Sequence, residues 1–132
     1  KISVIPLALG QAGGISRFAI ADTSSGASQG LLEGTPGKGR STRLPVVSLD
    51  ECVSVFRLPS PHSIKIDVDG AEIALLKGAS KTLRGKELQA ILLEADDRNA
   101  PSALLLLTDA GFFLESKVRM DKHTVNYFLK RA

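Results

Sequence analysis

No tryptophan and only one tyrosine, Tyr127, occur in this sequence, so it has little flat aromatic surface on which nucleic-acid bases could stack. The net charge of +3 is modest and no long basic run accompanies it, which argues against a nucleic-acid partner. Cys52 is the single cysteine, so no internal disulfide can form, and a reducing, cytoplasmic setting is expected. Histidine is scarce too. His62 and His123 stand far apart and read as surface-loop residues rather than metal ligands. The uninterrupted apolar runs are a few residues long, far short of the ~20 that span a bilayer, and no signal-peptide pattern is present. No membrane partner is therefore expected.

What is present suffices for one core. With 43% apolar residues in a chain of 132, a single domain over 1–132 is expected. The chain opens on Lys1, without methionine and already inside an apolar pattern, "KISVIPLAL". That start reads as lying in the middle of something larger.

Residues 2–9 alternate and thicken in apolar character, which predicts a strand with Pro6 near its end, followed by a "GQAGG" turn and a second strand over 15–21. Residues 22–42 are rich in Ser, Gly and Thr and predict a flexible loop. Lys38, Arg40 and Arg43 would let this region attract an acidic substrate or partner. Within it, "GTPGKGRST" fails as a phosphate loop, because Leu32 stands where the first glycine is needed and Gly39 where Ser or Thr is needed.

The second half is more regular. A short strand at 46–48 and a short helix over 50–56 lead through a Pro-marked loop to a strand over 64–68. A helix over 70–84 follows, with Ala71, Leu75, Ala79 and Leu83 on one stripe and Gly85 past its end. "LQAILLE" at 88–94 reads as a strand covered on both faces. A helix over 100–110 has Pro101 in its first turn and Gly111 beyond its end, and "FFLESKV" and "TVNYFLK" form a final hairpin. Strand and helix alternate, so the fold class is α/β, with parallel pairing and right-handed crossovers.

Two of these strands end in acids. The first ends at Asp67, with Asp69 two residues on; the second ends at Glu94, with Asp96 and Asp97 beyond. Ligands of open parallel sheets bind outside the carboxyl ends of the strands, so neighbouring strands would bring these acids to one crevice. A structural reading competes. Asp69 at an N-cap with Glu72 three residues later is a relative of the capping box, in which side chains satisfy orphan amides. Asp67 lies too early to cap the helix and is the first candidate for chemistry. Lys65 shares its strand face with Asp67, which allows an ion pair or a proton-transfer role. Asp67, Asp69 and Glu94, with Asp96, offer the oxygen ligands that a divalent magnesium or calcium ion prefers, a minority alternative. Cys52 reads as packed inside the short helix.

"SLDECV", then "IKIDVDGAEIALLKGASKTL", then "LQAILLE" together resemble the FkbM-type S-adenosylmethionine-dependent methyltransferases. That family has an "LDE" segment, a "KIDVEGAE" signature and a following strand that ends in Glu; here Asp69 replaces the commoner Glu. "VIPLALGQAGGISRFAI" is similar to the family's segment on the adenine side of the cofactor, so the resemblance covers nearly the whole chain. It implies a Rossmann-like class I methyltransferase fold, here partial: C-terminal strands and helices, with a mixed sheet and an antiparallel final hairpin. It implies methyl transfer from S-adenosylmethionine to a hydroxyl of a small-molecule acceptor, a sugar or secondary metabolite.

Carried over by position, Ala8 and Leu9 would lie near adenine. Asp67 would stand at the cofactor or substrate end of its strand, and Glu94 by the acceptor. Asp69 and Glu72 join the cofactor-binding set, and Lys65 joins Asp67 and Glu94 as catalytic candidates. The departure from the family is the absence of a glycine-rich first loop opening a long helix, and of an acid ending the second strand. The chain is therefore expected to be the C-terminal part of such a domain. As a rival expectation it is a non-catalytic module, dimerising through an exposed sheet edge.

Overall fold

The structure is a computed structural model that describes residues 2–20, 30–32 and 40–132. The first described strands are β1 (Ala8–Leu9), β2 (Gly14–Ile20), β3 (Gly30–Leu32) and β4 (Arg40–Val47). They form one sheet in the order β1-β4-β2-β3, with β1 parallel to β4 and the other pairs antiparallel. The strand expected over 2–9 thus shrinks to two residues. Residues 2–6 are exposed and unpaired with any described strand, and Pro6 has no amide to donate to a ladder. Ala8–Leu9 joins this first sheet rather than the sheet that carries the acids. Of the region expected as a loop over 22–42, residues 30–32 and 40–42 belong to strands, and the rest lies outside the described residues.

Helix α1 (Leu49–Ser54) begins on a complete capping box. The Ser48 hydroxyl accepts from the Glu51 amide, and the Glu51 carboxylate accepts from the Ser48 amide and hydroxyl. Next come β5 (Ser63–Asp67), α2 (Glu72–Gly78), α3 (Ser80–Arg84), β6 (Ala90–Asp96), α4 (Ala100–Asp109), β7 (Phe112–Arg119) and β8 (Thr124–Arg131). The second sheet runs β5-β6-β8-β7. β5 and β6 are parallel, and β8 lies antiparallel to both β6 and β7, so the mixed sheet with a final hairpin is as expected.

The helix predicted over 70–84 is two helices that meet at Ala79. The cause is tertiary. The Asp50 carboxylate of α1 accepts from the amides of Lys81 and Thr82, at 2.9 and 2.8 Å, and from the Thr82 hydroxyl. It thereby caps a fresh helix start from another element. Gly78 is a weak helix former placed where it must be small, because a Cβ there would fall on the Gly10 carbonyl oxygen.

Alternate residues of the second sheet carry the core. Ile66, Leu93 and Leu129 are fully buried with Leu76 of α2 and Leu107 of α4. The intervening residues, Lys65, Leu92 and Phe128, are exposed or half-buried. β6 therefore departs from the reading of a strand covered on both faces: among the described residues, helices bury one face only.

Candidate functional site

The chain leaves β5 at Asp67 and turns through Gly70, whose φ of +82° a side chain would strain. Register places Asp67 directly opposite Glu94, because β5 and β6 pair residue for residue from Ser63 and Ala90 onward. The acids at the two strand ends therefore face one cleft of about 350 Å³, lined among others by Asp67, Asp69, Gly70, Glu94, Arg98 and Thr124. Sequence spacing alone anticipated this meeting.

Lys65 and Asp67 form an ion pair of 2.7 Å on the exposed face of β5. That hydrogen bond raises the Lys65 pKa, with the Asp67 and Glu94 charges adding to it, so the amine stays protonated. The pair is open to solvent, at 57% and 49% exposure, so water and salt screen it and it adds little to stability. Glu94 is half-buried and Asp69 is exposed.

Glu72 behaves differently. It does not complete a capping box with Asp69: α2 starts at Glu72 itself, with Ala71 at the N-cap and no side-chain cap. Gly70, at positive φ, lies outside the helix. The Glu72 carboxylate instead turns back to accept from the Gly70 amide at 3.1 Å, and its other oxygen accepts from the Asn99 side-chain amide at 3.2 Å. At 3% exposure it is the one charged residue buried among the described residues. Burial pushes its carboxyl up, and the charge of Asp96 adds to that push, against hydrogen bonds from its own amide, from Gly70 and from Asn99.

The loop after β6 is tied just as closely. One oxygen of Asp96 accepts from the amides of Arg98 and Asn99, at 2.9 and 2.8 Å, and the other pairs with the Arg98 guanidinium at 2.9 Å. The Asn99 amide bond leads the influences that hold the Asp96 carboxyl below its ordinary value.

A second cleft, of about 670 Å³, shares Gly70 with the first and runs toward the first sheet. Gly10, Gly13, Gly14 and Val46 line one side, and Ala71, Ile73 and Lys77 of the α2 region the other. Gly10 is tightly placed, since a Cβ there would stand 2.7 Å from Val46 Cγ1. Ala8 and Leu9 lie half-buried in β1, just ahead of this glycine turn. The turn leads from β1 into β2, not into a helix.

The structure thus brings Asp67, Asp69, Glu72 and Glu94 to one cleft, while Ala8 and Leu9 line neither of the two clefts and precede the Gly10 turn that lines the second. Asp96 reaches the first cleft, but its oxygens are engaged by Arg98 and Asn99. Among the described residues, no group of three or more His, Cys, Asp or Glu side chains is arranged to hold a metal ion. Sequence reasoning missed Asn99, Arg98 and Thr124. Asn99 stands at the N-cap of α4, but its side chain makes no cap bond and serves Glu72 instead. No helix among the described residues is long and apolar enough to cross a membrane.

Acids gathered toward the carboxyl ends of adjacent parallel strands, beside a glycine-lined cleft, place the candidate site of this α/β protein where open parallel sheets commonly bind ligands. Residues 1–114 match the family model described as the methyltransferase FkbM domain. The chain belongs to the FkbM methyltransferase family. No curated protein and no solved structure matches it.

Proposed function

We propose that the chain is part of an S-adenosylmethionine-dependent O-methyltransferase of Rossmann-like class I architecture, acting on a hydroxyl of a sugar or secondary metabolite. The observation that carries this reading is the register pairing of Asp67, at the end of β5, with Glu94, two residues before the end of the parallel β6, in an FkbM chain. The unpaired edge of β5 among the described strands supports reading the second sheet as the later strands of a larger one.

The residues present suit the cofactor's chemistry. Carboxylates of Asp67, Asp69 and Glu94 suit its cationic end, and the cleft at Gly10, Gly13 and Ile73 suits a flat ring. When bound, the cofactor supplies a methyl group already activated on a sulfonium, so positioning the acceptor does most of the work. Lys65, kept protonated by Asp67, orients that carboxylate. Asp67 or Glu94 accepts the proton that the acceptor hydroxyl gives up.

Calorimetric titration with S-adenosylmethionine tests the proposal. Binding is expected, weakened about tenfold or more by Asp67→Ala, a loss of at least ~1.4 kcal/mol. The melting temperature should hardly move, because the Lys65 pair is exposed. No heat at high micromolar ligand would defeat the reading of this chain as a cofactor-binding unit, and unchanged affinity would remove Asp67 from the site.

A second reading rests on the same open edge of β5, which suits pairing with a second copy in a non-catalytic dimer. Sedimentation showing a monomer at all concentrations would count against it.

A further inference from the structure

We infer that Glu72 and Asn99 are a positioning pair that joins the loop after β5 to the loop after β6, and so sets the spacing of Asp69 and Arg98 across the acidic cleft. Each loop is internally fixed. Gly70 is held by Glu72 Oε1, and Arg98 and Asn99 are held by Asp96. One side-chain bond bridges the two, from Asn99 Nδ2 to Glu72 Oε2 at 3.2 Å. A buried carboxylate on an exposed-rimmed cleft is costly to keep, and here both of its oxygens are spent on the chain. That cost is explained if the bond fixes the relation of two loops that must meet one ligand. A capping role does not explain it, since α2 has no side-chain cap.

The logic of donors and acceptors makes the pair testable. Glu72 offers two acceptors, and Asn99 answers with a donor. In Asn99→Asp two carboxylates would face each other; where both are ionised the bridge is lost, and only a proton shared between them at lower pH could replace it, so the variant is read at alkaline pH. Adding Glu72→Gln restores it with the roles reversed: the Gln oxygen accepts from Gly70, and its amide nitrogen donates to Asp at 99. The net charge of the pair is unchanged. Glu72→Gln alone should be mild, because Asn99 can rotate its amide to present an oxygen.

The inference rests on the cleft being the ligand site, so two readouts are used. Amide hydrogen exchange at residues 68–71 and 97–99 reports the bridge itself. Titration with S-adenosylmethionine reports its effect on binding. Asn99→Asp should speed exchange in both loops and weaken binding about tenfold, while the double variant returns both to near the parent values. Unchanged exchange in Asn99→Asp, or a double variant no better than the single, overturns the pair. Restored exchange with affinity that never responded overturns its positioning role. If the parent chain takes up no cofactor, the proposed function fails, and exchange alone then decides whether the bridge exists.

Discussion

The Arg131 guanidinium lies over the ring of Phe112, 4.4 Å from its centroid. The same group donates to the carbonyls of Leu83, Gly85, Leu88 and Ala110, which end α3 and α4 or lead into β6. One side chain near the end of β8 thus satisfies carbonyls that the helices leave open. Arg131→Met keeps much of the apolar stem and removes every donor. A loss of roughly 2–4 kcal/mol is expected from the part-buried bonds to a charged group and the lost ring contact. Arg131→Lys should recover less than half of it, since an ammonium cannot reproduce the planar fork. Urea denaturation measures both; a Lys variant with the midpoint of the parent would show that the fork geometry does not matter.

Asp50 joins α1 to α3 and is responsible for the helix break at Ala79. Partial burial raises its carboxyl, but amide bonds from Lys81 and Thr82 and hydroxyl bonds from Thr82 and Ser80 outweigh that, and the net shift is downward. A carboxyl lowered by folding stabilises above its unfolded value and loses that contribution as pH falls through the folded one. Asp50→Ala should therefore cost about 1 kcal/mol near neutrality. Its deficit should shrink once pH drops below the ordinary aspartate value of 3.8. Thermal melts of parent and variant across that range check the convergence; a constant gap would mean the carboxylate charge plays no part.

The contrast between Asp50 and the strands around it explains what the sequence could disclose. Alternation at Ile64 and Ile66 is local, and so are Pro101 and Gly111 at the ends of α4, and these two elements stand within a residue of where the pattern put them. β6, expected over 88–94 and covered on both faces, runs instead over Ala90–Asp96 with Ile91, Leu93 and Ala95 buried on one face. The meeting of Asp67 and Glu94 was legible because two adjacent parallel strands ending in acids leave little choice. The break at Ala79 was not, because its cause is Asp50, which accepts from the Lys81 amide 31 residues further along the chain. Ser48 and Glu51 carry the spacing of a true capping box and use it. Asp69 and Glu72 carry a similar spacing and do not, since Gly70 turns at positive φ and delays the helix. The bridge from Glu72 to Asn99 spans 27 residues and has no sequence signal at all.

Gly78 offers a test of how tightly α2 rests on the turn after β1. In an isolated helix, Gly→Ala gains about 1 kcal/mol. Here the new methyl would meet the Gly10 carbonyl oxygen, and also stand 3.0 Å from the Gln11 carbonyl oxygen and Ser48 Cβ. Backbone on the far side cannot rotate away, so overpacking of roughly 1–3 kcal/mol or more should win. Gly78→Ala should thus destabilise, and it should widen the glycine-lined cleft by pushing α2 off Gly10. A variant more stable than the parent in urea would show that the turn yields instead.

Glu72 should leave a signature opposite to that of Asp50. Its folded carboxyl is raised, first by burial and then by the charge of Asp96, while Gly70 and Asn99 pull the other way; Arg98, paired to Asp96, is the nearby cation. A raised carboxyl means that the folded chain binds more protons than the unfolded chain between the two values. Stability from this residue is therefore fully present below the ordinary glutamate value of 4.5 and is lost as pH rises through the folded value. Glu72→Gln cannot ionise and keeps the size of the side chain. Relative to the parent it should gain stability as pH rises from 4.5 through the folded value, level off above that, and show no advantage below 4.5. Chemical denaturation of both proteins at a series of pH values gives the difference directly. A difference that stays flat across the series would mean that Glu72 is ionised in the fold at no cost.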